Sequence, residues 1–279
     1  MIRNAWGSPV LNPDGDINLH THTCYCDGKD DPEDMVRTAV EKGFRVLGFS
    51  GHGYCEVDID CCMSEAGERE YRDRILALRE KYRGKIDIRL GMERDYYNEN
   101  TGYPYDYEIG SVHYVRAGGE YLAVDDTADI AADGVNRLFG GNWRAYVECY
   151  YETVADVLRK TGADIVGHFD LVTKFNEGNR WFDEDADWYR AAALHSLRKL
   201  AETRVCPRSG MRDILGAGPR PVFEVNTGGM AKKYRSRPYP APFLLEALGE
   251  LGCPVIYSSD CHDRTKLDFG FRELLPLKR

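Results

Sequence analysis

Short apolar runs alternate with helical segments along this chain, and most of the runs lead onto a histidine or a carboxylate. Runs at residues 17–22, 45–50, 86–93, 107–113, 165–168, 222–226 and 254–259 read as strands, from their β-branched content and alternation. Between them lie helix signals. Pro32 suits a first turn, Met35, Ala39 and Val40 form an apolar stripe, and Gly43 ends the segment. Residues 64–82 form a charged helix with Tyr71, Ile75 and Leu78 facing inward. Residues 143–161 read as one long helix ended by Gly162, and 188–203 and 242–251 are helical. Strand and helix alternate about seven times, which predicts a parallel sheet with helices outside it, closed or nearly closed into a β/α barrel.

No internal repeat or linker divides residues 1–279, so one domain is expected. Residues 1–16 read as an irregular lead-in. Residues 206–221, rich in Gly, Pro and Arg, read as a surface insertion.

Six of the seven histidines fall at or just past a predicted strand end: His20, His22, His52, His113, His168 and His262. Glu93 and Asp260 hold the same kind of position, whereas His195 lies mid-helix and reads as structural. His20 and His22 stand at i and i+2, so on a strand both imidazoles reach one point. In a barrel all these strand ends converge on one face. Zinc takes about four ligands, and manganese or iron up to about six, so eight convergent donors imply two or three ions. Multinuclear sites of imidazole and carboxylate suit phosphate-ester hydrolysis.

Composition narrows the function. A net charge of -9 with no basic tract argues against a general nucleic-acid binder. No apolar run is long enough to span a membrane. Residues 1–15 lack the apolar core of a secretory signal, so a cytoplasmic location with reduced thiols is expected for the nine cysteines. Cys24, Cys26 and Cys261 lie beside the histidine motifs, where they could be ligands, and read more simply as small buried residues packed under a site. Neither a Gly-x-Ser-x-Gly elbow nor a Gly-rich phosphate loop is present.

In order along the chain, His20-Thr21-His22, Ser50-Gly51-His52, Gly91-Met92-Glu93, Ser111-Val112-His113, Gly167-His168-Phe169-Asp170 and Ser259-Asp260-Cys261-His262 resemble the motifs of the PHP (polymerase and histidinol phosphatase) superfamily. The stretch from Gly167 through Lys174 to Phe175 and that from Glu224 through Tyr234 and Arg235 to Pro240 resemble its histidinol-phosphatase branch. The resemblance implies a distorted seven-stranded (β/α)7 barrel, TIM-barrel-like, with a trinuclear site of divalent Zn, Mn or Fe. His20, His22, Glu93 and Asp260 would take the first metal. Glu93, His113 and His168 would take the second, and His52 and His262 the third. Family members often add a histidine to the third metal a few residues after the first pair. Residues 23–31 hold none, and Asp27 is the nearest replacement.

The implied activity is hydrolysis of a small phosphomonoester, L-histidinol phosphate, to L-histidinol and phosphate in histidine biosynthesis. A hydroxide bridging two metals would attack phosphorus, with Glu93 and Asp260 acting through the metals. Lys174 and Arg235 are the candidates for binding phosphate, with Lys232 and Lys233 behind them. Asp170 either orients a ligand histidine or caps a helix. Trp181, Asp183 and Glu184 either meet the substrate's amine or form a polar loop. A tyrosine group from Tyr96 to Tyr107 reads as packing on the barrel rim. Two other readings stand beside this one: a nucleotide phosphoesterase on the same fold, and a non-catalytic metal-binding domain.

Overall fold

The computed structural model describes residues 2–98 and 102–275. Strands β1 (Ile17–Asn18), β2 (Val46–Phe49), β3 (Asp87–Asp95) and β4 (Tyr107–Ser111) pair in parallel in sequence order. A separate antiparallel hairpin follows, β5 (Tyr114–Ala117) with β6 (Glu120–Ala123). Strands β7 (Ile165–Val166), β8 (Val222–Asn226) and β9 (Val255–Ser258) then extend the main sheet, giving the order β1-β2-β3-β4-β7-β8-β9. The helices are α1 (Pro32–Lys42), α2 (Glu65–Lys81), α3 (Ala128–Phe139), α4 (Trp143–Val154) and α5 (Val157–Thr161). They continue with α6 (Asp187–Glu202), α7 (Ser209–Leu215), α8 (Gly228–Ala231), α9 (Pro242–Leu251) and α10 (Phe271–Leu274). Among the described residues no helix is long and apolar enough to cross a membrane.

The expected seven-stranded parallel barrel is the observed one. Its strands are buried on both faces, and helices cover the outside. Helix α1 starts at Pro32 and ends at Gly43 as expected, and the structure adds a cap. Asp31 caps it by accepting from the Glu33 N–H, and Gly43 leaves it at φ 79°. Inside the barrel, Tyr107 fills the space beneath the strand ends and donates its hydroxyl to the Leu19 carbonyl. Gly91 makes room for that ring, since a Cβ there would stand 2.3 Å from Tyr107.

The seam between β1 and β9 is closed by side chains more than by a ladder. Asn12 donates to the Ile17 and Tyr257 carbonyls at 2.9 and 2.8 Å and accepts from the Tyr257 N–H at 2.9 Å. Asn18 donates to Ser259 and to the Leu267 carbonyl. The lead-in therefore belongs to the barrel, with the Leu11 N–H bonded to the Val255 carbonyl.

Two segments differ from their sequence-based expectation. Residues 206–221 are not merely a surface insertion. Helix α7 within them places a fully buried Met211 among Ile17, Val46, Tyr107, Ile165 and Ile256, sealing the barrel end remote from the histidines. Arg208 anchors the segment by ion pairs with Glu108 and Asp164. The single long helix over 143–161 is broken into α4 and α5, with Asp156 at the break. Its carboxylate is taken by Arg159 and by the Tyr96 hydroxyl instead of by a helical turn.

Asn12→Ala removes three buried hydrogen bonds from the seam and is expected to cost about 2–4 kcal/mol. A chemical-denaturation midpoint lowered without a change in slope would show it.

Candidate metal centre

The strand ends bring the predicted donors around one carboxylate. Glu93, near the end of β3 and 1% exposed, has five imidazoles about its two oxygens. His20 Nε2 lies 3.1 Å, His22 Nε2 3.4 Å and His52 Nδ1 3.2 Å from Oε2. His168 Nε2 lies 2.9 Å and His113 Nε2 3.5 Å from Oε1. Asp260 closes the group from the β9 side, its Oδ1 3.2 Å from His22 Nε2 and 3.6 Å from His20 Nε2. Asp260 sits at φ 49°, a left-handed conformation unfavourable for a residue with a side chain. Such strain persists only where surrounding structure holds it, and it is common at functional sites.

Asp27 joins the outer part of the cluster. Its Oδ2 lies 2.9 Å from His262 Nε2, and its Oδ1 3.5 Å from His22 Nδ1 and 3.7 Å from His52 Nε2. Four overlapping groups of donors each converge closely enough to share an ion: His22, Asp27, His52 and His262; His20, His168 and Asp260; His20, His22 and Glu93; His52, Glu93 and His113. His20, His22 and His52 thus each belong to two groups, where the expected assignment gave each of them to one metal, and His168 groups with His20 and Asp260 instead of with His113.

The cluster is built to receive cations. His20 Nε2, His22 Nε2 and Glu93 Oε2 are buried without a hydrogen-bond partner. Stranded polar atoms of this kind are costly unless a ligand satisfies them, and a divalent ion among imidazole and carboxylate donors does so. Burial alone would depress the His20 imidazole, but Glu224, Glu93 and Asp260 outweigh it and hold it well above its ordinary value. His22 goes the other way, pushed down to about 3 by burial and by the charges of His262 and His52. Burial would raise Glu93, yet His20, His52 and His113 hold it well below the usual carboxylate range.

Around the donors stand orienting groups that the motifs did not reveal. Glu224 accepts from His20 Nδ1 at 2.7 Å and from the His168 backbone N–H at 3.1 Å. This contact turns Nδ1 toward Glu224 and points Nε2 at the donor cluster. Asp95 accepts from the His113 backbone N–H at 2.8 Å, and Ser111 donates to Glu93 at 2.5 Å. The signal for Glu224 was a lone charge in the otherwise apolar run Val222-Phe223-Glu224-Val225. Asp170 fills neither of its expected roles: it accepts from the Ala241 N–H and makes no cap bond.

The cluster floors a cavity of about 420 Å³. Lys174 lines it, bonded to the Asp125 carbonyl and, at 3.1 Å, to the Asp125 carboxylate. Arg235 does not line it. Its guanidinium is buried against Glu184, with two contacts of 2.9 Å, and donates to the Thr173 carbonyl at 3.0 Å. Glu184 also holds Arg237, and Trp181 stacks on Trp143 at 4.8 Å, so this region braces the barrel wall. Of the tyrosine group, Tyr107 is the barrel plug and Tyr105 is buried beside Arg72. Cys26 packs beneath the site, its sulfur 3.6 Å from His22 Nδ1.

Residues 18–205 match the sequence pattern of the PHP domain. A Deinococcus radiodurans protein named "Probable histidinol-phosphatase" is 29% identical over 269 residues, covering 92% of this chain and 90% of that protein. The "Histidinol-phosphatase" of Bacillus subtilis is 25% identical over 281 residues, covering 93% and 97%. The crystal structure of histidinol phosphate phosphatase from Lactococcus lactis, complexed with Zn, L-histidinol and phosphate, shares the fold. It matches with a TM-score of 0.60 at 19% identity, covering 93% of this chain and 92% of that one.

Glu224→Ala is expected to weaken zinc binding by about 10–100-fold, with a smaller loss in Glu224→Gln, as measured by chelator competition. Metal uptake should also release protons. Burial lowers His113, but Glu93 and Asp95 raise it to about 10, so without metal it is protonated at neutral pH. Apparent metal affinity should therefore rise with pH up to that value, and calorimetry in buffers of different ionisation enthalpy reads the protons released.

Proposed function

The chain belongs to the PHP domain family, and from that premise we propose that it is a metal-dependent phosphomonoesterase acting on L-histidinol phosphate. The products are L-histidinol and inorganic phosphate. The observation that carries this reading is the buried carboxylate of Glu93 ringed by five imidazoles at the floor of an open cavity. The names of the relatives, and the histidinol and phosphate bound by the Lactococcus lactis protein, support the choice of substrate.

His20, His22, Glu93 and Asp260 would hold one ion, Glu93, His113 and His168 a second, and Asp27, His52 and His262 a third. Zinc, manganese and iron all suit these donors. When bound, the ions supply Lewis acidity toward the phosphoryl oxygens and a water acidified enough to attack near neutral pH. The protein's own contribution is geometric. Glu93 fixes the spacing of the donor groups, and Glu224 holds His20 in one orientation. Tyr107 and the strands beneath keep the floor dry. Lys174 sets a positive charge in the wall, tempered by Asp125. Four aspartates outside the donor cluster also line the cavity: Asp58, Asp60, Asp125 and Asp126. They oppose polyphosphate esters and suit an ester whose organic part is cationic.

Phosphate release from L-histidinol phosphate by zinc- or manganese-loaded protein, set beside nucleotides and sugar phosphates, tests the reading. Selective turnover of histidinol phosphate is expected. His20→Ala should lower it by more than about 100-fold, beyond the loss typical of outer partners. Turnover confined to a nucleotide would keep the chemistry and overturn the substrate.

A further inference from the structure

Seven residues lining the cavity carry carboxylates, and two are lysines. Besides the ions of the donor cluster, a phosphate ester entering it would be held by any cation of the walls that is not already paired. Lys174 is neutralised by Asp125, and Arg235 lies outside with its guanidinium held by Glu184. Lys232 is the other lysine. It is exposed at the C-terminal end of α8, and among the described residues its ammonium makes no hydrogen bond or ion pair. Its charge nonetheless acts on Asp260.

The backbone explains why Lys232 stands so close to the donor cluster. Gly228 and Gly229 precede it and line the same cavity. A Cβ on Gly228 would lie 2.8 Å from Asp260 Oδ2, and one on Gly229 2.7 Å from the Tyr239 hydroxyl. A side chain at either position would have to push Asp260 or Tyr239 aside. The turn therefore delivers the root of Lys232 to the edge of the metal centre, while its long stem keeps the ammonium in water until an anion arrives.

We infer that Lys232 is the residue that binds the phosphoryl oxygens of the substrate, a role the sequence assigned first to Arg235 and Lys174. The inference rests on the phosphomonoesterase reading above. Lysine acts here as a mobile point charge with three donors, and its hydrogen bonds to a phosphate are charge-assisted. Arg235 is a brace that fixes the segment carrying this lysine to the barrel wall at Glu184 and Thr173.

Inorganic phosphate is the probe, titrated by calorimetry into zinc-loaded wild-type, Lys232→Met, Lys232→Arg and Lys233→Met proteins, with zinc content measured in each. Lys232→Met is expected to keep its zinc and to bind phosphate about tenfold more weakly or worse. Lys232→Arg should recover most of the affinity, and Lys233→Met, whose residue does not line the cavity, should match wild type. The KM for histidinol phosphate should rise in Lys232→Met in step with the phosphate Kd. Wild-type phosphate affinity in zinc-replete Lys232→Met overturns the assignment of Lys232 alone. A wild-type protein that binds zinc but no phosphate overturns the phosphomonoesterase reading, and this inference with it.

Discussion

Everything at the functional end of this molecule turns on the carboxylate of Glu93 held in a dry place among imidazoles. An isolated buried carboxylate would shed its charge, because desolvation favours the neutral acid. Here five histidines and the Ser111 hydroxyl reverse that preference. The partners come from four separate stretches of chain, His20 and His22 after β1, His52 after β2, Ser111 and His113 at or just past the end of β4 and His168 after β7, so the interaction exists only when these strands and β3 end on one face. A parallel barrel meets that demand by construction, since its strands all run the same way and its loops at one end share a rim.

The rest of the fold reads as support for that convergence. Asn12 and Asn18 stitch the seam where β1 and β9 would otherwise gape. Tyr107 fills the interior just below the donors, and Met211 of α7 closes the far end. These contacts sit under a cluster whose members repel one another in part. His22 is driven down by burial and then by its histidine neighbours, and Asp260 keeps a left-handed backbone. A rigid base lets that strain persist, and divalent ions in the cluster would relieve much of it.

Charge is also divided within the cavity. The metal-binding side gathers imidazoles and the Glu93 and Asp260 carboxylates. The connection from the hairpin to α3 contributes Asp125 and Asp126 and the loop after β2 contributes Asp58 and Asp60, with Lys174 tied to Asp125. Lys232 lines the same cavity as an exposed cation. On the proposed reading, this division of charge would orient a small ester with a phosphate at one end and a cationic group at the other.

The alternation of strands and helices, the strand-end placing of His20, His22, His52, Glu93, His113, His168, Asp260 and His262, and the ends of α1 at Pro32 and Gly43 were determined by the sequence alone. Each depends on periodicity or on the identity of one residue in its local place. Asp27 was legible as a possible donor only because no histidine stood nearby. Tertiary structure decided the partnerships. Arg235 looked free in the sequence because Glu184, fifty-one residues away, cannot be seen beside it. Glu224 looked like one charge in an apolar strand until His20 and His168 met it across the barrel. Residues 206–221 looked like surface because their Gly and Pro content hides that Met211 turns inward. Local pattern encodes which residues an element presents and to which side, whereas pairing between distant segments follows from barrel closure, which no single stretch of the chain contains.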